Sequence, residues 1–459
     1  MKNLLRFLVI VFIFISCNPD KTSIKSESVS PGSLEKEVYN VELYFDESSG
    51  LVPLKNNPNC KNSLDDKACQ IAANELRNSI IKKIRKIDST IVVDTMHVRV
   101  YLDVSVYLDS LNKGQFKKLE AAATANNYVI SQTFEIQARR PIMQTDYIQQ
   151  ARRPIMQEQF RYDSLSKTSM MVKEIGGSQP GSSNPTHRVW IVDSGIDSTH
   201  QDLNFGQSEA ALSFDFSMGN SKNPFEDGYG HGTFLAGAIG GLASSKPIFA
   251  EGYGINGVFP LAKMVSIKIF NEAGRTNSGK VISALSYIFS SAKSGDVVNF
   301  SWGLNISSGA CEANQHKKIY EWIDKLASKG VYVVMSAGNE AQESSTNFPG
   351  CIDLASQPAS VKSKIFTIGS VEVPVSGSYY YSFFSNYGRP SIDYLTPGED
   401  VFTTAPGGKY VLVSGTSLSA AIFSGILYHN SGVGTLAIIK RGAVPGGTNP
   451  DYPVAKVGN

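Results

Sequence analysis

Between Arg188 and Ser336 short apolar runs alternate with helix-length stretches, and this rhythm narrows the possible folds more than any other feature of the chain. Arg188–Val192, Met264–Ile269, Asp296–Ser301 and Val331–Ser336 read as buried strands, with Asn277–Ala292 and Ala313–Ser328 as helices among them. Parallel strands need long crossovers, and the crossover helices then cover the sheet. The expected fold class is therefore α/β: a doubly wound parallel sheet with helices on both faces, preceded by a small α+β N-terminal domain. In such sheets sites collect at the carboxyl ends of the strands.

The N-terminal domain has patterns of its own. Ala72, Leu76, Ile80, Ile84 and Ile87 recur at helical spacing, and Arg77, Lys82, Lys83, Arg85 and Lys86 form the solvated face. Val98, Val100, Leu102, Val104, Val106 and Leu108 alternate with Arg99, Tyr101, Asp103, Ser105 and Tyr107, which predicts one half-buried strand. A helix over Gln115–Ala125 and a strand over Tyr128–Ile136 complete the unit. The octapeptide at Gln137–Gln144 recurs at Gln150–Gln157. Two copies do not make a solenoid, and a tandem duplication in a surface segment accounts for them. Pro141 and Pro154 obstruct cleavage directly after the Arg-Arg pairs. Gly176–Pro185 is rich in Gly, Ser and Pro and marks a boundary. The expected division is 38–175 for the N-terminal domain, 176–185 for a linker, 186–432 for the α/β domain and 433–459 for a Gly/Pro-rich tail.

Charge excludes one class of partner, because 43 Lys and Arg against 41 Asp and Glu leave a net charge of +2 and no polyanion-binding signal. Nucleic acid is not an expected partner. At the amino terminus Lys2 and Arg6 flank an apolar run, Leu4–Ile15, that is too short to span a bilayer but suits a signal peptide. Phe14-Ile15-Ser16-Cys17 resembles a bacterial lipoprotein signal, although Phe14 replaces the usual leucine. That resemblance implies residues 1–17 as signal, Cys17 as a lipidation site anchoring the exported protein to a membrane, and 18–37 as a tether. Cys60, Cys69, Cys311 and Cys351 then remain, an even number that reads as two disulfides in an oxidising compartment. Three connectivities are open. Nearness in sequence favours Cys60 with Cys69 and Cys311 with Cys351, and four buried thiols are the other reading.

Four short motifs carry chemistry. Ser417 lies in Gly415-Thr416-Ser417 at the start of an apolar helix, where first-turn N–H groups favour developing negative charge. Asp193 ends the strand Trp190-Ile191-Val192-Asp193. His231 opens Gly230-His231-Gly232-Thr233, a helix so rich in small residues that it must pack closely. Asn339 follows another strand in Ala337-Gly338-Asn339. Each alone reads as a cap or a turn residue. Together they supply an acid, a base, an amide donor and a nucleophile, the parts of acyl transfer.

In their order and local sequence these motifs make the segment from about Asn184 to Gly432 resemble the catalytic domain of the subtilisin-like serine proteases. The resemblance implies a doubly wound sheet, a serine endopeptidase acting on proteins or peptides, and the catalytic set Asp193, His231, Ser417 and Asn339. It implies substrate contacts at Ser301-Trp302-Gly303, where an extended chain pairs with the backbone, and at Gly338. Glu340 could favour basic side chains at a pocket rim. It also makes the N-terminal domain a propeptide or accessory domain. Asp202 matches a calcium position of the family, but Leu242–Ile248 lacks carboxylates and carries Lys246, which argues against a complete Ca²⁺ shell. No cofactor is required for this chemistry. A monomer is expected. The family proline after the serine is missing from Leu418–Ile422, and no final amphipathic helix is evident past His429. The alternative functions are a catalytically silent relative that binds partners at the surface and a structural lipoprotein.

Overall fold

The structure is a computed structural model that describes residues 38–57, 60, 67–101, 103–137, 142–143, 162–178, 186–217, 223–243, 254–307, 309–311, 313–373, 379–388, 391–430 and 452–457. The apolar run at Leu4–Ile15, Cys17, the tether and the second octapeptide lie outside the described residues. Residues 38–459 form one compact unit. No described helix is long and apolar enough to cross a membrane.

An eight-stranded sheet organises the larger part. Its spatial order is Phe214–Asp215, Met264–Lys268, Val189–Asp193, Val297–Phe300, Tyr332–Ser336, Ile365–Glu372 and Tyr380–Tyr381, and Tyr394–Pro397 also pairs with Ile365–Glu372. All pairings are parallel except the one with Tyr380–Tyr381. Alternate side chains of a strand face opposite sides, and here each side has its own core. Val189 and Ile191 join a cluster with the helices His231–Gly240 and Thr416–His429. Trp190 and Val192 join the other, with the helices Ser278–Ser291 and Asn314–Ser328. The α/β expectation holds, and the expected strands and helices fall within two residues of their predicted ends.

The N-terminal region is a four-stranded antiparallel sheet in the order Val98–Arg99, Val104–Asn112, Val38–Phe45, Tyr128–Gln132. Helices Lys67–Ile87 and Lys113–Asn126 share a core with it. The single strand expected over residues 98–108 is interrupted, and its supposed outer face is buried as well. Arg99 is 2% exposed and Tyr107 1%, because this face docks on the larger part. Arg99 donates to Glu42 at 2.5 Å, to Ser105 Oγ at 3.1 Å and to Ser283 Oγ at 3.3 Å. Lys318 reaches Asp103 at 2.7 Å, and Asn277 Nδ2 donates to Tyr107 Oη at 2.6 Å. A buried guanidinium is tolerable only when paired and hydrogen-bonded, and the docked helices complete that pairing.

Three further differences from the expected organisation have packing causes. The strand expected over Tyr128–Ile136 stops at Gln132, and Glu135–Gln137 leaves the sheet to pair antiparallel with Arg275–Asn277. The division expected at 175/176 is not a break in packing, because Met171, Val172 and Ile175 sit in the core of Val189 and Ile191. The tail returns at 452–457, where Tyr452, Val454 and Ala455 are buried, Val454 bridges to Leu395 and Val457 N donates to Ile175 O at 2.8 Å. Extended chain therefore fills the edge for which no closing helix was evident.

Both disulfides favoured by sequence nearness are present, Cys60–Cys69 and Cys311–Cys351. The second links residues 40 apart, and closing such a loop removes about 4 kcal/mol of unfolded-chain entropy against about 2.6 kcal/mol for the first, nine apart. It also joins the segment after Trp302 to the one carrying Asn347–Phe348, which pair as strands at Leu304–Asn305. Replacing Cys311 and Cys351 by serine is expected to lower Tm by more than replacing Cys60 and Cys69. Thermal melts of the two double variants check this, and equal shifts contradict it.

Candidate active site

Asp193 is the last residue of its strand, and His231 is the first of its helix. His231 Nδ1 lies 2.9 Å from each Asp193 carboxylate oxygen, and Ser194 N donates to Asp193 Oδ1 at 2.8 Å. Close approach of the two elements depends on Gly232, where a Cβ would fall 2.1 Å from the Gly195 carbonyl oxygen. Aspartate and histidine are each 1% exposed. Burial by itself pushes the His231 imidazole down, but the charge and hydrogen bond of Asp193, with the charge of Asp227, overcome it and hold the ring above its ordinary value. His231 Nε2 is buried and has no hydrogen-bond partner among the described residues. Nδ1 is thus occupied, and the second nitrogen remains available for proton transfer.

Ser417 is the second residue of Thr416–His429, a helix packed against the His231 helix and the carboxyl-end strands. Asn339 follows the strand Tyr332–Ser336. Its Oδ1 accepts from Thr416 N at 2.8 Å and from Thr416 Oγ1 at 2.7 Å. A backbone N–H can only donate, so Oδ1 must face Thr416 and Nδ2 points elsewhere. The space it reaches is defined by Gly415: a Cβ there would lie 3.1 Å from Ser417 Oγ and 3.3 Å from Asn339 Nδ2. Ser417 Oγ and Asn339 Nδ2 therefore border one small space, into which a Cβ at 415 would project.

The other residues singled out in the sequence have mixed positions. Ser301 Oγ donates to the Ser417 carbonyl at 2.9 Å, so its side chain fixes the first turn of the helix. Trp302 is 1% exposed and packs edge-on to Phe270 and Phe300. Gly303 is required by neighbours within the fold, since a Cβ would fall 2.5 Å from Asn347 Oδ1 and 2.8 Å from Phe348 O. Gly338 N donates to Thr416 Oγ1 at 3.1 Å. Glu340 is half-buried, and its Oε2 accepts from Asn339 N and Asn386 Nδ2, both at 3.0 Å, which ties this loop to the segment at 386. Asp202 Oδ2 accepts from Ile255 N at 2.7 Å and Tyr410 Oη at 2.6 Å. No cluster of metal-ligating side chains occurs among the described residues.

Two edge strands escaped the sequence reading. Arg275–Asn277 pairs with Glu135–Gln137, and Lys409–Ser414 pairs with Ile142–Met143 at Ser414↔Ile142 and Val413↔Met143. Ser414 lies three residues before Ser417. Strands this short leave little periodicity to find. Thr416 and Asp227 were also missed, because hydroxyls and acids near a helix start read as ordinary caps.

Residues 186–429 match the subtilase family of S8 peptidases. Subtilisin NAT of Bacillus subtilis subsp. natto is 32% identical over 238 residues, 52% of this chain and 53% of that protein. Subtilisin-like protease 2 of Plasmodium falciparum is 27% identical over 254 residues, 54% of this chain and 17% of that protein. The chain spans about half the length of the subtilisins it matches. A solved psychrophilic protease is 23% identical, covering 63% of this chain and 97% of its own, with a TM-score of 0.47. With the family's match extending over more than half of the sequence, from the residues just before the Asp193 strand to the end of the Ser417 helix, this chain belongs to the subtilases.

Proposed function

We propose that the chain is a serine endopeptidase in which Ser417 Oγ attacks the peptide carbonyl. His231 Nε2 takes the serine proton and later gives it to the leaving amine, while Asp193 holds Nδ1–H and stabilises the imidazolium. Asn339 Nδ2 and the Ser417 N–H, a first-turn group without an intrahelical acceptor, donate to the oxyanion. The observation that carries this reading is the shared space at Gly415, bordered by Ser417 Oγ and the Asn339 Nδ2 that Thr416 aims. No metal ion enters the reaction, and the donors on Asp202 support a fold without calcium there.

A fluorophosphonate probe tests the reading. Labelling of the wild-type chain at Ser417, lost in Ser417→Ala, supports it, and an unlabelled folded wild type sinks it. Asn339→Ala is expected to cost roughly 10²–10³ in kcat, the loss known for the oxyanion asparagine of a subtilisin, with little change in KM. Steady-state kinetics on a peptide substrate checks this.

The N-terminal domain acts as a propeptide in this reading. Glu135–Gln137 and Ile142–Met143 lie along two edges of the larger part. Ile142 pairs with Ser414, three residues before Ser417, so Ile142–Met143 lies beside the turn that leads to the nucleophile. Maturation cuts this domain from the larger part, and amino-terminal sequencing of the mature species locates the bond. Export follows from the Leu4–Ile15 run, with Cys17 as lipid anchor; mass spectrometry of the amino-terminal peptide tests the lipid.

A further inference from the structure

Asp227 has no place in the proton path, yet it is 5% exposed and lies four residues before His231. A buried carboxylate is costly unless its lone pairs are used, and four donors use them here. Oδ1 accepts from Ser194 Oγ at 2.8 Å and Gly230 N at 2.7 Å. Oδ2 accepts from Thr233 N at 2.9 Å and Thr233 Oγ1 at 2.6 Å. Ser194 directly follows Asp193, and its Oγ accepts in turn from Gly232 N at 3.0 Å. Gly230 and Gly232 flank His231. One carboxylate therefore ties the turn that carries the acid to the first helical turn that carries the base.

A simple helix cap accounts for Gly230 and Thr233 but not for the bridge through Ser194. Two negative charges act on the imidazole, Asp193 from the strand end and Asp227 from the turn before the helix. Lys268, on the strand beside Asp193, directs its ammonium to the Glu226 carbonyl and to Glu272. Burial holds the Asp227 carboxyl above the usual carboxylate range, although its four hydrogen bonds pull the other way.

We infer that Asp227 is a positioning residue for the proposed hydrolysis, which sets the Asp193–His231 pair by tying Ser194 to Gly230 and Thr233 on either side of His231. The rate arm of the test rests on Ser417 being the nucleophile; the titration arm does not. Asp227→Asn removes the charge and turns one acceptor into a donor that faces donors. Ser194→Ala breaks the bridge and keeps the charge. His231 must be neutral to act as base, so activity falls as pH drops through its pKa, and losing the Asp227 charge moves that fall to lower pH.

Asp227→Asn is expected to lower kcat at least tenfold with KM within about twofold, and to shift the acid limb of kcat/KM downward. NMR of labelled histidine in the Ser417→Ala background should show the same downward shift for His231. Ser194→Ala should lower kcat while both pH readouts stay at wild-type values. The inference is overturned if both variants keep kcat within twofold, or if the His231 titration does not move in Asp227→Asn. Should Asp227→Asn fail to fold, Ser194→Ala decides: reduced kcat at constant KM and limb supports the tie, and unchanged kcat removes it. A folded wild type without hydrolysis sinks the protease reading, and the titration arm then decides this one.

Discussion

Ser417→Ala is expected to lower kcat on a peptide substrate by on the order of 10⁶, the size of loss seen when a subtilisin is stripped of its nucleophile. The structure gives the reason why nothing nearby substitutes for it. Ser301 Oγ is committed to the Ser417 carbonyl, and Thr416 Oγ1 to Asn339. Hydrolysis would then rely on oxyanion stabilisation and binding alone, with water as nucleophile. The same variant should remain full length if the N-terminal domain is removed by self-cleavage. Burst and steady-state kinetics measure the first effect and intact mass the second. Wild-type turnover in the variant would contradict the assignment, and processing at a normal rate by a purified inactive enzyme would contradict self-cleavage.

Asp193→Asn should cost about 10⁴ in kcat, through the tautomer of His231 more than through any displacement. Asp193 Oδ1 accepts from Ser194 N, which can only donate. An asparagine keeps its oxygen on that N–H, which puts its NH₂ in place of Oδ2, 2.9 Å from His231 Nδ1, where it favours an Nδ1 that accepts. The imidazole must then carry its proton on Nε2, where it cannot accept one from serine. The loss of charge also lets burial lower the imidazole pKa. The activity that remains should therefore rise again at alkaline pH, where hydroxide can replace the missing base. A pH profile taken with the kcat measurement checks both halves, and a profile parallel to wild type would refute the tautomer argument.

The four candidate residues were legible in the sequence because each sits at an element's end beside small residues that local pattern exposes. Asp193 closes an apolar run, His231 and Ser417 open helices of small residues, and Asn339 follows a strand. Backbone geometry of that kind is local, and so are the strand and helix periods that gave the α/β class. The two disulfides were also favoured, since a short loop closes more readily than a long one. What surrounds the catalytic groups was less visible. That Gly303 is also required by Asn347 and Phe348, which a Cβ would meet at 2.5 and 2.8 Å, could not be read from the sequence. The hydrogen bond that Glu340 accepts from Asn386, 46 residues on, was equally invisible.

Sequence by itself thus determined the fold class, the four catalytic candidates and the pairing favoured for the cysteines. Tertiary structure alone decided that Arg99, Ser105 and Tyr107 are buried, that Glu135–Gln137 and Ile142–Met143 lie along two edge strands, and that Asp227 reaches both sides of the Asp193–His231 pair. The reason is physical. Periodicity tells which side chains prefer to leave water, but a polar residue reads as solvated until a partner distant in sequence supplies its hydrogen bonds. Arg99 finds Ser283 184 residues away, and Asp227 finds Ser194 33 residues back.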